Sequence, residues 1–377
     1  RQIAGLTCYP DVGALPAAPD MAVIALPAND VCPAIEALGH KGVRAAVVFS
    51  SGFGEMGTSG KEREAALLST ARANGVVICG PNCLGLINAF DKVYATFSQY
   101  ADGDTAPGPI GFVTQSGAFG TAIAALARRR GLGLGYFVNT GNEADASFTD
   151  VMSKIAHDPR IKVVAGYLEG IKDGRSLVAL AELCMEFDKP LVLTKVGRFS
   201  AGARAAASHT GSLAVDDTLF DAVAHQYGIV RARNEEQMLD FLEAFAYSTP
   251  PAGNGLGIVT QSGGAAVMMV DRAAEVGLTV PRLHADTEAK LSKLVPAFGT
   301  CSNPVDVTGQ FVAEPAILHD SILTMLADSG IDIGIVWLQL MEAHVTLLLD
   351  LFIDLKKRSL KPFVVCWVAA PEAATHG

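Results

Sequence analysis

Continuous apolar runs of strand length alternate with helical patterns along nearly the whole chain, and few folds satisfy that periodicity. The runs fall at residues 21–26, 43–49, 76–79, 110–113, 134–138, 162–168, 191–194, 256–259, 331–337 and 363–368. They are unbroken rather than alternating apolar and polar, as parallel strands covered on both faces must be. Helical patterns at 61–74, 119–130, 177–187 and 267–276 lie between them, and Gly131 and Gly277 follow two of these where a left-handed cap is placed. Strand and helix in alternation predict α/β layers with right-handed crossovers. Polar, Gly- and Pro-bearing stretches at 99–109 and 248–255 read as linkers. They divide the chain into 1–102, 107–248 and 253–377, each predicted to be a doubly wound parallel sheet.

The second and third parts share a repeat. Gly111-Phe-Val-Thr-Gln-Ser-Gly117 returns as Gly257-Ile-Val-Thr-Gln-Ser-Gly263, 146 residues later (257 − 111), and Gly131-Leu132 returns as Gly277-Leu278 at the same offset. Duplication accounts for this; a solenoid does not, because its period is far shorter. In each copy a strand runs into Thr-Gln-Ser-Gly and then a helix. The first N–H groups of that helix, at Ser116, Gly117 and Ala118 or at Ser262, Gly263 and Gly264, then point into the crevice at the strand ends. The helix dipole favours an anion there without any lysine. A serine that merely caps its helix would explain one such turn. Two identical turns favour a paired anion site.

Composition narrows the function. A formal charge of −10 argues against nucleic acid, which needs clustered cations. With 50% hydrophobic and 18% charged residues the chain is not disordered. The cysteines, Cys8, Cys32, Cys79, Cys83, Cys184, Cys301 and Cys366, are scattered without zinc spacing, so no metal site is expected and they read as thiols of a reducing compartment. No run spans a bilayer and no signal peptide opens the sequence, which makes the cytoplasm the expected location. A G-x-S-x-G elbow, a strand-to-helix G-x-G-x-x-G and a G-x-x-x-x-G-K-[ST] loop are all lacking.

After the run at 191–194 comes a small, polar stretch, Lys195-Val-Gly-Arg-Phe-Ser through Ala207-Ser-His209-Thr-Gly-Ser-Leu213. Such a loop can be ordered yet able to move. A neutral imidazole is nucleophilic at physiological pH, and a carboxylate can fix its tautomer. On spacing alone a surface histidine remains the commoner reading. His40 and His225 lie near predicted helix C-termini, while His284, His319, His344 and His376 have no chemical neighbours in sequence.

Taken together, Gly80-Pro-Asn-Cys-Leu-Gly85, the Thr-Gln-Ser-Gly turns, Tyr167-Leu-Glu-Gly170 and Ser208-His-Thr-Gly-Ser-Leu213 resemble the ADP-forming acyl-CoA synthetases, relatives of succinyl-CoA synthetase. The resemblance covers nearly the whole chain in order. It implies a Rossmann-like CoA-binding domain followed by two flavodoxin-like domains, and an acid–CoA ligase working through an acyl phosphate and a phosphohistidine. His209 matches the phosphoryl carrier and Glu169 the carboxylate that orients it. CoA is implied at Pro27 and Ala28, at Ser50, Ser51 and Gly52, and at Gly80, Pro81 and Asn82, the ends of successive strands. ATP or ADP with Mg2+ would bind an ATP-grasp domain, of which this sequence has no recognisable segment, so that domain is expected in another segment or subunit of an oligomer. The resemblance also places a first strand before Arg1 and the rest of the third domain beyond Gly377. A non-catalytic module binding CoA or acyl-CoA is the rival reading.

Overall fold

The computed structural model describes residues 2–103, 106–199, 202 and 216–371. They form two compact units, Arg1–Ala246 and Tyr247–Gly377.

After a short antiparallel ribbon of Gln2–Ile3 with Leu6–Thr7, the first unit has a parallel sheet of β1 (Ala22–Ile24), β2 (Ala45–Val48) and β3 (Val77–Cys79), joined by α1 (Ala28–Lys41) and α2 (Thr58–Ala73). Val31, Ile35 and Leu38 from α1 and Leu67 and Ala71 from α2 bury against Ile24, Val48 and Ile78. The helical spacing of these apolar residues is what commits the segments to helix. Gly42, at φ 96°, closes α1 with a left-handed cap.

A larger sheet follows, built from β4 (Gly85–Asn88), β5 (Val93–Thr96), β6 (Ile110–Thr114), β7 (Leu134–Asn139), β8 (Val163–Leu168), β9 (Leu191–Lys195) and β10 (Val230–Arg231). Its order is β10-β9-β8-β6-β7-β4-β5, with the first five parallel and the β4–β5 ribbon antiparallel on the edge of β7. The linker at 99–109 assigns that ribbon to the first part of the sequence, yet its hydrogen bonds go to the second sheet. Helices α3 (Gly117–Arg129), α4 (Phe148–Ala156), α5 (Gly174–Glu186), α6 (Asp217–Gln226) and α7 (Glu235–Tyr247) accompany the sheet. Every residue of β6, β8 and β9 is buried, as their unbroken apolar character requires.

The second unit is a parallel sheet ordered β12-β11-β13-β14, from β11 (Leu256–Thr260), β12 (Val305–Asp306), β13 (Ile333–Gln339) and β14 (Phe363–Val368). Helices α8 (Gly263–Glu275), α9 (Ala285–Leu291), α10 (Ala316–Leu326) and α11 (Val345–Arg358) belong to it. Here one expectation fails. β13 and β14 alternate in burial instead of being covered on both faces, and Val364 and Val368 remain 48% and 46% exposed. Apolar residues on the outward face made a one-sided strand read as a two-sided one. Gly131 and Gly277 have φ of 72° and 78°, the left-handed geometry expected at those helix ends.

Candidate functional site

At the carboxyl ends of β1, β2 and β3 three loops lie side by side. Leu26 N donates to Ser50 Oγ at 3.3 Å, and Asn82 N donates to Ser50 O at 2.9 Å. This gathers Pro27 and Ala28, Ser50 to Gly52, and Gly80 to Asn82, the residues predicted for CoA. Pro27 precedes α1, so the helix start at Ala28 is presented there. Pro27, Ser51 and Asn82 are exposed, whereas Ser50 is buried. Gly52 and Gly80 take φ of 99° and 104°, and a Cβ on Gly80 would meet Val48 O at 2.6 Å. Glycine is what lets that turn form. Arg63 donates to Gly52 O.

The first Thr-Gln-Ser-Gly turn joins β6 to α3. Thr114 Oγ1 donates to Ser116 O at 2.7 Å, and Asn139 Nδ2 donates to Thr114 O and Gln115 O at 2.9 and 3.1 Å. Ser116 makes no side-chain cap bond, so its hydroxyl is not spent on the helix. A Cβ on Gly117 would meet Leu84 at 2.8 Å, and Ala118 is exposed. Leu84 is itself tied down, its N–H donating to Asn139 Oδ1 at 2.6 Å.

Glu169 follows β8 beside this turn. Gln115 N donates to Tyr167 O at 3.1 Å, and Gln115 Oε1 accepts from Glu169 N and Gly170 N at 2.6 and 3.0 Å. Gln115 Nε2 donates to Gly170 O at 2.8 Å and to Glu143 Oε1 at 3.0 Å. Burial, with Glu169 adding its charge, pushes the Tyr167 phenol up to about 12. Glu143 also accepts from Thr140 Oγ1 at 2.7 Å, and burial pushes its carboxyl up despite these bonds.

His209 lies outside the described residues. The two ends of its segment are within them. Lys195, at the end of β9, sits 3.1 Å from Asp217 at the start of α6, and Arg198 and Arg231 reach the same carboxylate at 3.7 and 2.6 Å.

The second turn joins β11 to α8. Thr260 Oγ1 donates to Ser262 O at 3.2 Å, and Ser262 Oγ accepts from Ala265 N at 3.5 Å, so this serine does cap its helix. Gly263 and Gly264 are exposed, with no neighbour nearer than 3.8 Å to where a Cβ would lie.

Residues 140–145 form a further polar loop that no sequence motif marks. Asn142 N donates to Pro81 O at 2.9 Å, and Asn142 Nδ2 donates to Glu55 Oε2 and Glu64 Oε2 at 2.6 and 2.9 Å. Burial works against the Glu55 carboxylate, but the bonds from Asn142 and the Gly52 and Phe53 backbone outweigh it and hold its pKa low. Asp145 Oδ2 accepts from Ile78 N at 3.1 Å. The available signal was a polar run with two acids directly after a buried strand. Through-space partners also amend the histidines: His284 pairs with buried Asp328 at 2.7 Å, and His319 lies between Asp320 and Asp354. Among the described residues, no group of three or more His, Cys, Asp or Glu could hold a metal ion, and no helix is long and apolar enough to cross a membrane.

The chain is thus a succession of α/β sheets, with open loops at the strand ends of the first. A CoA binding domain model matches residues 1–89, a succinyl-CoA ligase like flavodoxin domain residues 107–245, and a ligase-CoA domain residues 256–352. The chain is 38% identical over 334 residues to an ADP-forming acetate–CoA ligase I of Archaeoglobus fulgidus, covering 88% of this chain and 47% of the relative. It is 34% identical over 333 residues to the alpha subunit of the ADP-forming acetate–CoA ligase II of Pyrococcus furiosus, covering 88% and 71%. A dinucleotide forming acetyl-coenzyme A synthetase 1 of Ca. Korarchaeum cryptofilum, solved with phosphate and ADP, superposes with a TM-score of 0.88 at 30% identity, over 99% of this chain and 85% of that one. The chain belongs to the ADP-forming acyl-CoA synthetase family. It spans about half the length of the Archaeoglobus relative.

Proposed function

We propose that this chain carries the acyl-CoA half of an ADP-forming acid–CoA ligase. Phosphate attacks the thioester carbonyl of an acyl-CoA, so that a C–O bond forms, the C–S bond breaks and CoA leaves. His209 then attacks the acyl phosphate; a P–N bond forms, and the bond from phosphorus to the acyl oxygen breaks to release the acid. In the other direction the steps make acyl-CoA. Glu169 orients the imidazole and stabilises its positive charge. The starts of α3 and α8, at Ser116, Gly117 and Ala118 and at Ser262, Gly263 and Gly264, each offer preorganised donors for a phosphoryl group. Pro27, Ala28, Ser50, Ser51, Gly52, Gly80, Pro81 and Asn82 line the CoA loops. The phosphoryl group passes to ADP with Mg2+ on an ATP-grasp domain or subunit, in the cytoplasm, where the unpaired cysteines suit a reducing environment.

The observation that carries this reading is the hydrogen bonding of Gln115 to the Glu169–Gly170 peptide, which holds the backbone of Glu169 beside a candidate phosphate turn. Incubating the full chain with acetyl-CoA and radiolabelled phosphate should yield an acid-labile, base-stable label that His209→Ala lacks. Equal labelling of the His209→Ala protein would sink the assignment.

A further inference from the structure

Gln115 spends its side chain completely. An amide offers two acceptor and two donor positions, and all four are used on the Glu169–Gly170 backbone and Glu143. The two backbone N–H groups also fix which end of the amide is oxygen. Behind it stands Glu143, only 6% exposed and at φ 58°, a backbone region that a residue with a side chain enters at a cost. A buried carboxylate is a poor way to gain stability. Lys172 Nζ donates to the carbonyls of Asn142 and Glu143, holding the backbone in that shape.

The second unit supplies a control. Its turn has the same sequence, and Val307 N donates to Thr260 O at 2.9 Å as Thr140 N donates to Thr114 O at 2.9 Å. Three residues after Val307 stands Gln310, exposed, where Glu143 is buried in the first copy. Gln261 Oε1 is buried without a hydrogen-bond partner among the described residues. The turn therefore folds without the arrangement around Gln115, and folding the turn is not what that arrangement is for.

We propose that Gln115 and Glu143 are positioning residues that fix the Glu169 backbone, and with it the carboxylate that meets His209. This deepens the function proposed above and rests on its reading of Glu169. A displacement of about 1 Å in such a group can cost on the order of 100-fold in rate. Gln115→Met keeps the shape and loses the bonds.

The test uses the full chain, labelled from acetyl-CoA and phosphate, with exchange of the Glu169 and Gly170 amides followed in parallel. Gln115→Met should label His209 about 10- to 100-fold more slowly, with CoA affinity within twofold of about the wild-type value. The two amides should lose about tenfold in protection, the effect of one hydrogen bond. Glu143→Leu should resemble it, the double variant should be no slower than the worse single one, and Glu143→Gln, which retains an acceptor, should fall between Leu and wild type. Labelling of Gln115→Met at the wild-type rate overturns the proposal, as does unchanged protection of both amides. If the wild-type chain takes no label, the proposed function fails instead, and exchange alone then decides whether the peptide is held.

Discussion

The turns after β6 and β11 share Val-Thr-Gln-Ser-Gly and the same internal bond from threonine hydroxyl to serine carbonyl, yet their surroundings have diverged. In the first, Ser116 leaves its helix uncapped, Gly117 is pressed against Leu84, and Gln115 is fully engaged. In the second, Ser262 caps, Gly263 has room for a Cβ with Asp306 no nearer than 3.8 Å, and Gln261 Oε1 has no partner among the described residues. The pentapeptide thus encodes a backbone shape. What each copy does with its side chains is set by residues far off in sequence.

The largest contrast should come from the glycines. Gly117→Ala puts a methyl 2.8 Å from Leu84, and overpacking should destabilise the first unit by about 1–3 kcal/mol. Gly263→Ala has 3.8 Å of room and should be neutral or stabilising by about 0.5–1 kcal/mol. Denaturant midpoints check both, and equal losses would erase the asymmetry.

A smaller effect concerns pH. Burial raises the Glu143 pKa above its ordinary 4.5, so the folded state holds a proton that the unfolded state has released. Stability should therefore fall as pH rises from 4.5 through the raised value. Glu143→Gln should lack that fall, and melting temperatures of the two proteins should draw apart with increasing pH. Parallel curves would show that the carboxyl is not desolvated.

The smallest is the cap. Ser262→Ala should cost about 0.5 kcal/mol, the low end for a cap whose bond is long. Ser116→Ala, which removes no cap bond, should cost measurably less stability than Ser262→Ala while weakening phosphate binding. A stability loss equal to that of Ser262→Ala would make both serines plain caps.

Unbroken apolar runs made β6, β8, β9 and β11 legible to within a residue or two, because burial on both faces leaves no polar position to confuse the pattern. The β4–β5 ribbon was not legible: it lies at a sheet edge, it is only partly buried, and its partner β7 comes almost fifty residues later (134 − 85 = 49). Glu169 and the turns could be picked out from local motifs. Asn139, Asn142 and Glu143 could not, since each matters through a bond across tens of residues.

Asn142 and Glu143 are adjacent, yet they serve opposite neighbours: the first clasps Glu55 and Glu64 beside the loops proposed for CoA, the second supports Gln115. Surface loops ordinarily absorb insertions and deletions. This one cannot, because adding or removing a single residue would rotate one of the two side chains away from its partner. Its length should be as invariant as that of a core strand, and grafts or library designs that vary loop size should spare it.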